Sequence, residues 1–207
     1  SGTTTQLKSV AYGNNQFIAV GGNYTYKDRI ISWSSTIITS PDGITWTERY
    51  SGTTTWLKSV TYGNNQFIAV GGEYNNGIIL TSPDGVTWTE ISVKAKNSFH
   101  SVTYGNNQFI TVGYRGIILT SIDGTTWTER TSGTTEDLNS VVYGNNQFTI
   151  AGGSENMTSS TSIILTSSDG TIWTERASEI KKDDRIRLTS VIYSNNQFLA
   201  VGDFGTI

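Results

Sequence analysis

Apolar and polar positions alternate over short distances throughout this chain. Leu57-Lys58-Ser59-Val60-Thr61-Tyr62 follows the period-2 pattern of a half-buried strand. Gly63-Asn64-Asn65 then supplies residues that tolerate positive φ, which predicts a tight hairpin. Phe67-Ile68-Ala69-Val70 is continuously apolar, as expected of a strand covered on both faces. Beyond Gly71-Gly72 and a variable loop comes a third apolar strand, Ile78-Ile79-Leu80-Thr81. Pro83-Asp84-Gly85 makes the next turn, and Val86-Thr87-Trp88-Thr89-Glu90 reads as a fourth strand, rich in β-branched and aromatic residues. No helical i, i+3, i+4 pattern of useful length occurs.

The unit is written about five times. Tyr-Gly-Asn-Asn-Gln-Phe begins at Tyr12, Tyr62, Tyr104 and Tyr143, and a fifth copy from Tyr193 has Ser194 in place of Gly. A meander of four strands in roughly 40 residues is the size of a propeller blade, and such repeats bury their apolar faces only by stacking on neighbours. The predicted fold is all-β, a β-propeller of about five four-stranded antiparallel blades in a single domain spanning 1–207. The repeats fall at about 1–50, 51–92, 93–131, 132–177 and 178–207, with the last incomplete. A solenoid of stacked sheets is the rival, but its coils carry fewer strands per repeat. The chain begins and ends out of phase with its repeat, which suggests a piece of something longer; otherwise residues 1–6 substitute imperfectly as a closing strand. An unclosed ring leaves a bare strand edge, so oligomerisation or fraying is expected there.

Composition narrows the function. A net charge of −3 gives no general attraction to nucleic acid or anionic lipid, and zero Cys removes thiol chemistry and disulfides. No stretch approaches the roughly 18 apolar residues of a membrane-spanning helix, so no membrane insertion is expected. His100 is the sole histidine, which argues against a Ser-His-Asp triad or a multi-His metal site; no metal or cofactor is expected.

Aligning the copies separates a constant end of each blade from a diversified one. The first-to-second and third-to-fourth turns share one end of an antiparallel blade, and both are nearly invariant. The second-to-third loops and the crossings between blades share the other end and hold all the length variation, from 114–115 to 23–35 and 154–162. In repeat proteins, insertions confined to one face often mark the binding face. Trp46, Trp88, Trp127 and Trp173 are consensus strand residues expected in the core, whereas Trp33 and Trp56 lie outside the consensus. Tyr24, Tyr74, Tyr114 and Phe204 stand just beyond second strands, where the fourth copy has Glu155. With Glu73 and Arg115 as polar partners, these aromatics are the candidate ligand-binding residues, suited to stacking on sugar faces. The plainer alternative is that the rings cap crevices between blades.

Ser40-Pro41-Asp42-Gly43-Ile44-Thr45-Trp46 recurs at 82–88 and 121–127, and at 167–173 with Ile172 where the others have Thr. An Asp at the start of a turn accepts amide hydrogen bonds from residues two and three positions on. The motif resembles the Asp-box of BNR-repeat propellers, found in sialidases and in many non-enzymatic surface proteins, but lacks one residue between Asp and Gly. The resemblance implies that Asp42, Asp84, Asp123 and Asp169 are structural turns on the face away from any active site. A sialidase would also need converging arginines, a Tyr–carboxylate nucleophile and an acid/base residue. Arg49, Arg130 and Arg176 occupy equivalent, spread positions, and Arg29, Arg115, Arg185 and Arg187 are non-consensus. Residues 181–185 form a mixed-charge loop, and 23–25 and 156–158 fit the glycosylation sequon.

The expected protein is therefore a non-enzymatic, lectin-like adhesion module, extracellular or at the cell surface. Its expected partner is a glycan or a surface protein, bound multivalently through the variable end, and no nucleic acid. A structural scaffold, such as a surface appendage, phage fibre or amplified or engineered repeat protein, is the alternative. A sialidase-like glycoside hydrolase comes third.

Overall fold

The computed structural model describes residues 2–27, 30–94, 97–154, 161–177 and 186–207. Arg29, Glu155, the triplet 156–158 and the loop 181–185 with its Arg185 lie outside the described residues. The chain divides into two compact units, Ser1–Phe99 and His100–Ile207.

The first unit holds two four-stranded antiparallel sheets. Blade 1 runs β1 (Gln6–Gly13), β2 (Gln16–Lys27), β3 (Ile30–Ser40), β4 (Thr47–Arg49) in that spatial order. Blade 2 repeats it as β5 (Leu57–Gly63), β6 (Gln66–Glu73), β7 (Asn76–Ser82) and β8 (Thr89–Glu90). Gln6 belongs to β1, at the opposite edge of its sheet from the fourth strand.

Blade 3, whose strands belong to the second unit from His100 onward, is β9 (Phe99–Gly105), β10 (Gln108–Gly113), β11 (Ile118–Ser121) and β12 (Thr128–Arg130). Blade 4 is β13 (Leu138–Gly144), β14 (Gln147–Gly152), β15 (Ile163–Ser167) and β16 (Thr174–Arg176). The fifth sheet has two strands, β17 (Leu188–Ser194) and β18 (Gln197–Gly202), as the incomplete last repeat predicts. Among the described residues no helix is long and apolar enough to cross a membrane.

Each core is a sandwich of consecutive blades. In the first unit, Ile18, Val20 and Ile37 on the back of blade 1 meet Leu57, Val60, Phe67, Ala69, Ile78 and Leu80 on the front of blade 2. In the second, Ile110, Val112 and Ile118 of blade 3 meet the corresponding front of blade 4. The continuously apolar strand is buried on both faces, with Phe67, Ile68, Ala69 and Val70 all at 0% exposure. That burial, at roughly 1.5–3 kcal/mol per large side chain, is what couples the repeats.

Three local departures from the sequence pattern have physical causes. First strands bury every third residue, because a bulge inserts Lys58 between Leu57 (opposite Gly71) and Ser59 (opposite Val70), so Leu57 and Val60 share a face. Lys8, Asn139 and Thr189 are the bulged residues of blades 1, 4 and 5. Fourth strands are only two or three residues long and begin after the tryptophan. Trp46, Trp88, Trp127 and Trp173 are therefore half-buried turn residues and not strand-core residues, each giving its indole N–H to the turn glycine's carbonyl. Finally, within the segment expected as a long loop at 23–35, residues 23–27 and 30–35 extend β2 and β3 as a ribbon, with Tyr24 paired directly opposite Trp33.

Candidate functional site

The constant end is assembled from the Asp turns. In blade 1, the Ser40 hydroxyl donates to Asp42 Oδ1 (2.9 Å), and the amides of Ile44 and Thr45 donate to the same oxygen at 2.8 and 2.7 Å. Gly43 N–H donates to Ser40 Oγ, and Gly43 itself sits at φ 74°, where a side chain would be strained. Asp84, Asp123 and Asp169 repeat the arrangement. Those amides, with the Ser hydroxyl, hold the Asp42 carboxyl down at about 2, and the other three carboxyls are lowered by the same amide bonds. A carboxyl held ionised by its own turn is poorly suited to donate a proton at neutral pH.

Consecutive constant ends are latched. Gln16 Nε2 donates to the Asp84 carbonyl (2.7 Å), and Gln108 Nε2 to that of Asp169 (2.8 Å). The arginines after Trp-Thr-Glu are also used within their own blades: Nε of Arg49, Arg130 and Arg176 donates to Thr39, Thr120 and Thr166. Each stays beside its own third strand.

At the variable end the structure gathers Tyr24, Trp33 and Trp56 into one cluster within the first unit. The Tyr24 and Trp33 rings lie 5.4 Å apart at 50°, and Trp33 and Trp56 lie 5.8 Å apart at 32°. Such tilted and offset pairs are the favoured aromatic geometries. The paired strands β2 and β3 place the first two rings side by side, and the crossing into β5 brings Trp56 across from the next blade. Gly22 makes room, since a Cβ there would press on the Trp56 ring. Tyr24 is half exposed and Trp33 partly so, leaving an aromatic surface open to solvent.

Two further features belong to this cluster. Lys8 Nζ stands 5.0 Å from the Trp56 ring centroid, a cation–π contact delivered by the first-strand bulge. Trp56 Nε1 is buried and has no hydrogen-bond acceptor. An orphaned buried donor costs about 1–3 kcal/mol. Lys8 was not recognisable as a site residue in the sequence, because it repeats as Lys58 and aligns with His100; the one available signal was its place at the bulge, facing the next blade's non-consensus Trp.

The remaining candidates do not join this cluster of rings. Glu73 forms an ion pair with Lys58 at 3.4 Å. Tyr74, 72% exposed, takes φ 49° at the end of β6. In blade 3, Arg115 adopts φ 55°, lays its guanidinium 5.2 Å from the Tyr114 ring centroid, and donates its amide to Asp137 Oδ1. Phe204 has φ 56° and is 85% exposed, and in the chain fold it corresponds to Arg115, not to Tyr114. Arg187 Nε lies 3.4 Å from Asp203 Oδ2, an ion pair too poorly aligned to satisfy the nitrogen as a hydrogen bond. One rule connects several of these: the residue entering a first strand reaches the second-to-third turn of the preceding blade. Trp56 meets Trp33, Ser98 N–H donates to the Tyr74 carbonyl, and Asp137 takes the Arg115 amide.

No protein-family model matches the sequence, and no curated protein matches it. Among solved structures, the chain is similar to YCF48 bound to D1 peptide (TM-score 0.64, 17% identity, 94% of this chain and 59% of that one). It is similar to YCF48 from Cyanidioschyzon merolae (TM-score 0.64, 17% identity, 95% and 62%). It is also similar to an α-L-arabinofuranosidase from Clostridium thermocellum (TM-score 0.52, 11% identity, 96% and 82%). The chain thus spans about three fifths of the length of the two YCF48 chains. The likeness shows the fold: this chain is built as a β-propeller with an incomplete fifth blade.

Proposed function

We propose that this chain is a non-enzymatic binding module that engages its ligand through the aromatic cluster of Tyr24, Trp33 and Trp56, with glycan as the ligand class. The observation that carries this reading is the stack itself: three rings from two blades, partly open to solvent, beside an ammonium group and an unpaired indole N–H. Sugar rings offer apolar C–H faces for stacking and hydroxyls that accept from the Lys8 ammonium. Tyr74, Tyr114 with Arg115, and Phe204 supply further exposed aromatics on other blades, so individually weak contacts would gain from repetition. The Asp turns fit the structural role of BNR-type boxes, at the opposite end of each blade from the cluster. A module of this kind acts outside the cell or on its surface.

A second reading, a peptide- or protein-binding scaffold, is favoured by the likeness to a propeller that was solved with a peptide bound. Trp and Tyr clusters serve as anchors there too. The two readings separate in a glycan array run beside a peptide array, using the chain and a Trp33→Ala/Trp56→Ala variant. Glycan binding lost in the variant supports the first reading, peptide binding lost in the variant supports the second, and binding indifferent to the variant sinks both.

A further inference from the structure

Where glycine follows an asparagine or aspartate, the backbone can react with the side chain before it. The glycine nitrogen attacks the side-chain carbonyl carbon and closes a five-membered imide, because no Cβ shields it and its backbone bends freely. This chain has five such pairs: Asp42-Gly43, Asp84-Gly85, Asp123-Gly124, Asp169-Gly170 and Asn76-Gly77. The fold treats them differently. In each Asp turn the glycine N–H is given to the Ser hydroxyl at 2.8–2.9 Å. The amides two and three residues beyond the Asp fix its carboxylate oxygen. Those amides keep the carboxyl ionised, and an ionised carboxylate is a poor target for a nitrogen nucleophile.

None of those restraints holds Asn76. It is exposed at the hairpin tip of blade 2, and its side chain makes no hydrogen bond among the described residues. Glu73 pairs with Asn76 across a two-residue turn, so the next pair, Gly72 and Gly77, directs its amides outward. Gly72 N–H accordingly goes to the Trp56 carbonyl on one side. Gly77 N–H points to the other, where β8 and the residue after it pair no further than Ile79. The turn itself is strained, since Tyr74 takes φ 49°. Nor can the fold dispense with the glycine: a Cβ at Gly77 would collide with the Asn97 carbonyl and the Phe99 ring. The packing of blade 2 thus demands the residue that makes Asn76 reactive.

We propose that Asn76 is a site of spontaneous deamidation, through which the folded chain acquires an aspartate or isoaspartate at the tip of blade 2. Gly77 N forms a bond to Asn76 Cγ as the Cγ–Nδ2 bond breaks. The Gly77 amide proton passes to solvent hydroxide, and the side-chain nitrogen leaves as ammonia with a proton from water. Water then opens the imide at either carbonyl. Strand geometry at Asn76 holds the nitrogen away from Cγ, so the reaction runs from a tip opened by one pair, a local event that the strain at Tyr74 favours. The product carboxylate stands directly opposite Glu73, beside its ion pair with Lys58, where like charges repel. Isoaspartate also carries one extra main-chain carbon, which displaces that pairing.

The test is to age the folded chain in mildly alkaline buffer beside the same chain in denaturant. Peptide mapping that separates aspartate from isoaspartate then follows all five pairs. Asn76 should react in the folded chain within about tenfold of its unfolded rate, because opening one exposed pair costs little. Each Asp-Gly pair should be slowed by folding at least about tenfold, the worth of one hydrogen bond to a charged group. The aged chain should gain an acidic species on ion-exchange chromatography. Asn76→Gln, whose longer side chain closes a six-membered ring far more slowly, should not form it. Protection of Asn76 as strong as that of the Asp turns, isoaspartate appearing at an Asp turn as fast as in denaturant, or an undiminished acidic species in Asn76→Gln would each overturn the proposal.

Discussion

The two ends of a blade solve the same problem, returning the chain, in opposite ways. At the constant end, all four Asp turns hold their carboxylate with two amide bonds of 2.7–3.0 Å and close on the indole of their own tryptophan. Each turn satisfies its carboxylate within seven residues, and the latch from the preceding blade's Gln uses the same repeated residues, so the arrangement is copied from blade to blade. At the variable end nothing is self-contained. The residue entering each first strand is Gln6, Trp56, Ser98, Asp137 or Arg187, and at Trp56, Ser98 and Asp137 it bonds or stacks with the turn of the preceding blade. Stability resides in the repeated end and individuality in the other, because only contacts between blades can differ from junction to junction.

Removing Trp56 should produce the largest separation of the two ends. Trp56→Ala is expected to weaken ligand binding by at least tenfold, about 1.4 kcal/mol, while the Asp turns keep their geometry. Calorimetric titration with an array-identified ligand, beside a thermal melt, checks this; equal binding by the variant would detach function from the cluster. Next in size, Asp84→Ala at the constant end should lower stability by about 1 kcal/mol, the value of a lost cap in a solvent-exposed turn, and leave binding unchanged. A chemical denaturation curve and the same titration decide it, and a binding loss there would erase the distinction between the ends.

Acid should probe the same turns without mutation. Each turn carboxyl is held below its ordinary value of 3.8, Asp42 at about 2, so the stability it contributes is complete above pH 4 and is lost as pH falls toward 2. The melting temperature should therefore decline over that window, less steeply in a chain with all four aspartates changed to Asn. The smallest effect is expected from Arg115→Gly. It relieves a non-glycine residue at φ 55°, gaining up to about 1 kcal/mol, while abolishing the cation over Tyr114. A melt that does not rise would mean that the Arg115–Tyr114 contact offsets the backbone strain.

Much of this was legible beforehand. The hairpin at Asn64-Asn65, the buried strand at 67–70 and the Asp turns depend on residues within a few positions of one another, and the structure keeps all of them. The alternation alone places the tryptophans of the Asp turns in the strand core, because composition does not reveal that an indole N–H will seek the turn carbonyl instead of packing deeper. The ribbon pairing Tyr24 with Trp33 looks like a loop in the sequence, since a stretch rich in Tyr, Thr and Ser carries no period until its partner strand is known. Lys8 was invisible for a related reason: a bulge, not the sequence alternation, aims it at Trp56.

The sequence by itself determined the unit, its count and the division into a copied end and a varied end, because period, turn chemistry and alternation are local properties. The tertiary structure alone decided which varied residues meet. Tyr24, Trp33, Trp56 and Lys8 come together only because blade 2 stacks on blade 1 with one fixed register of sheet on sheet.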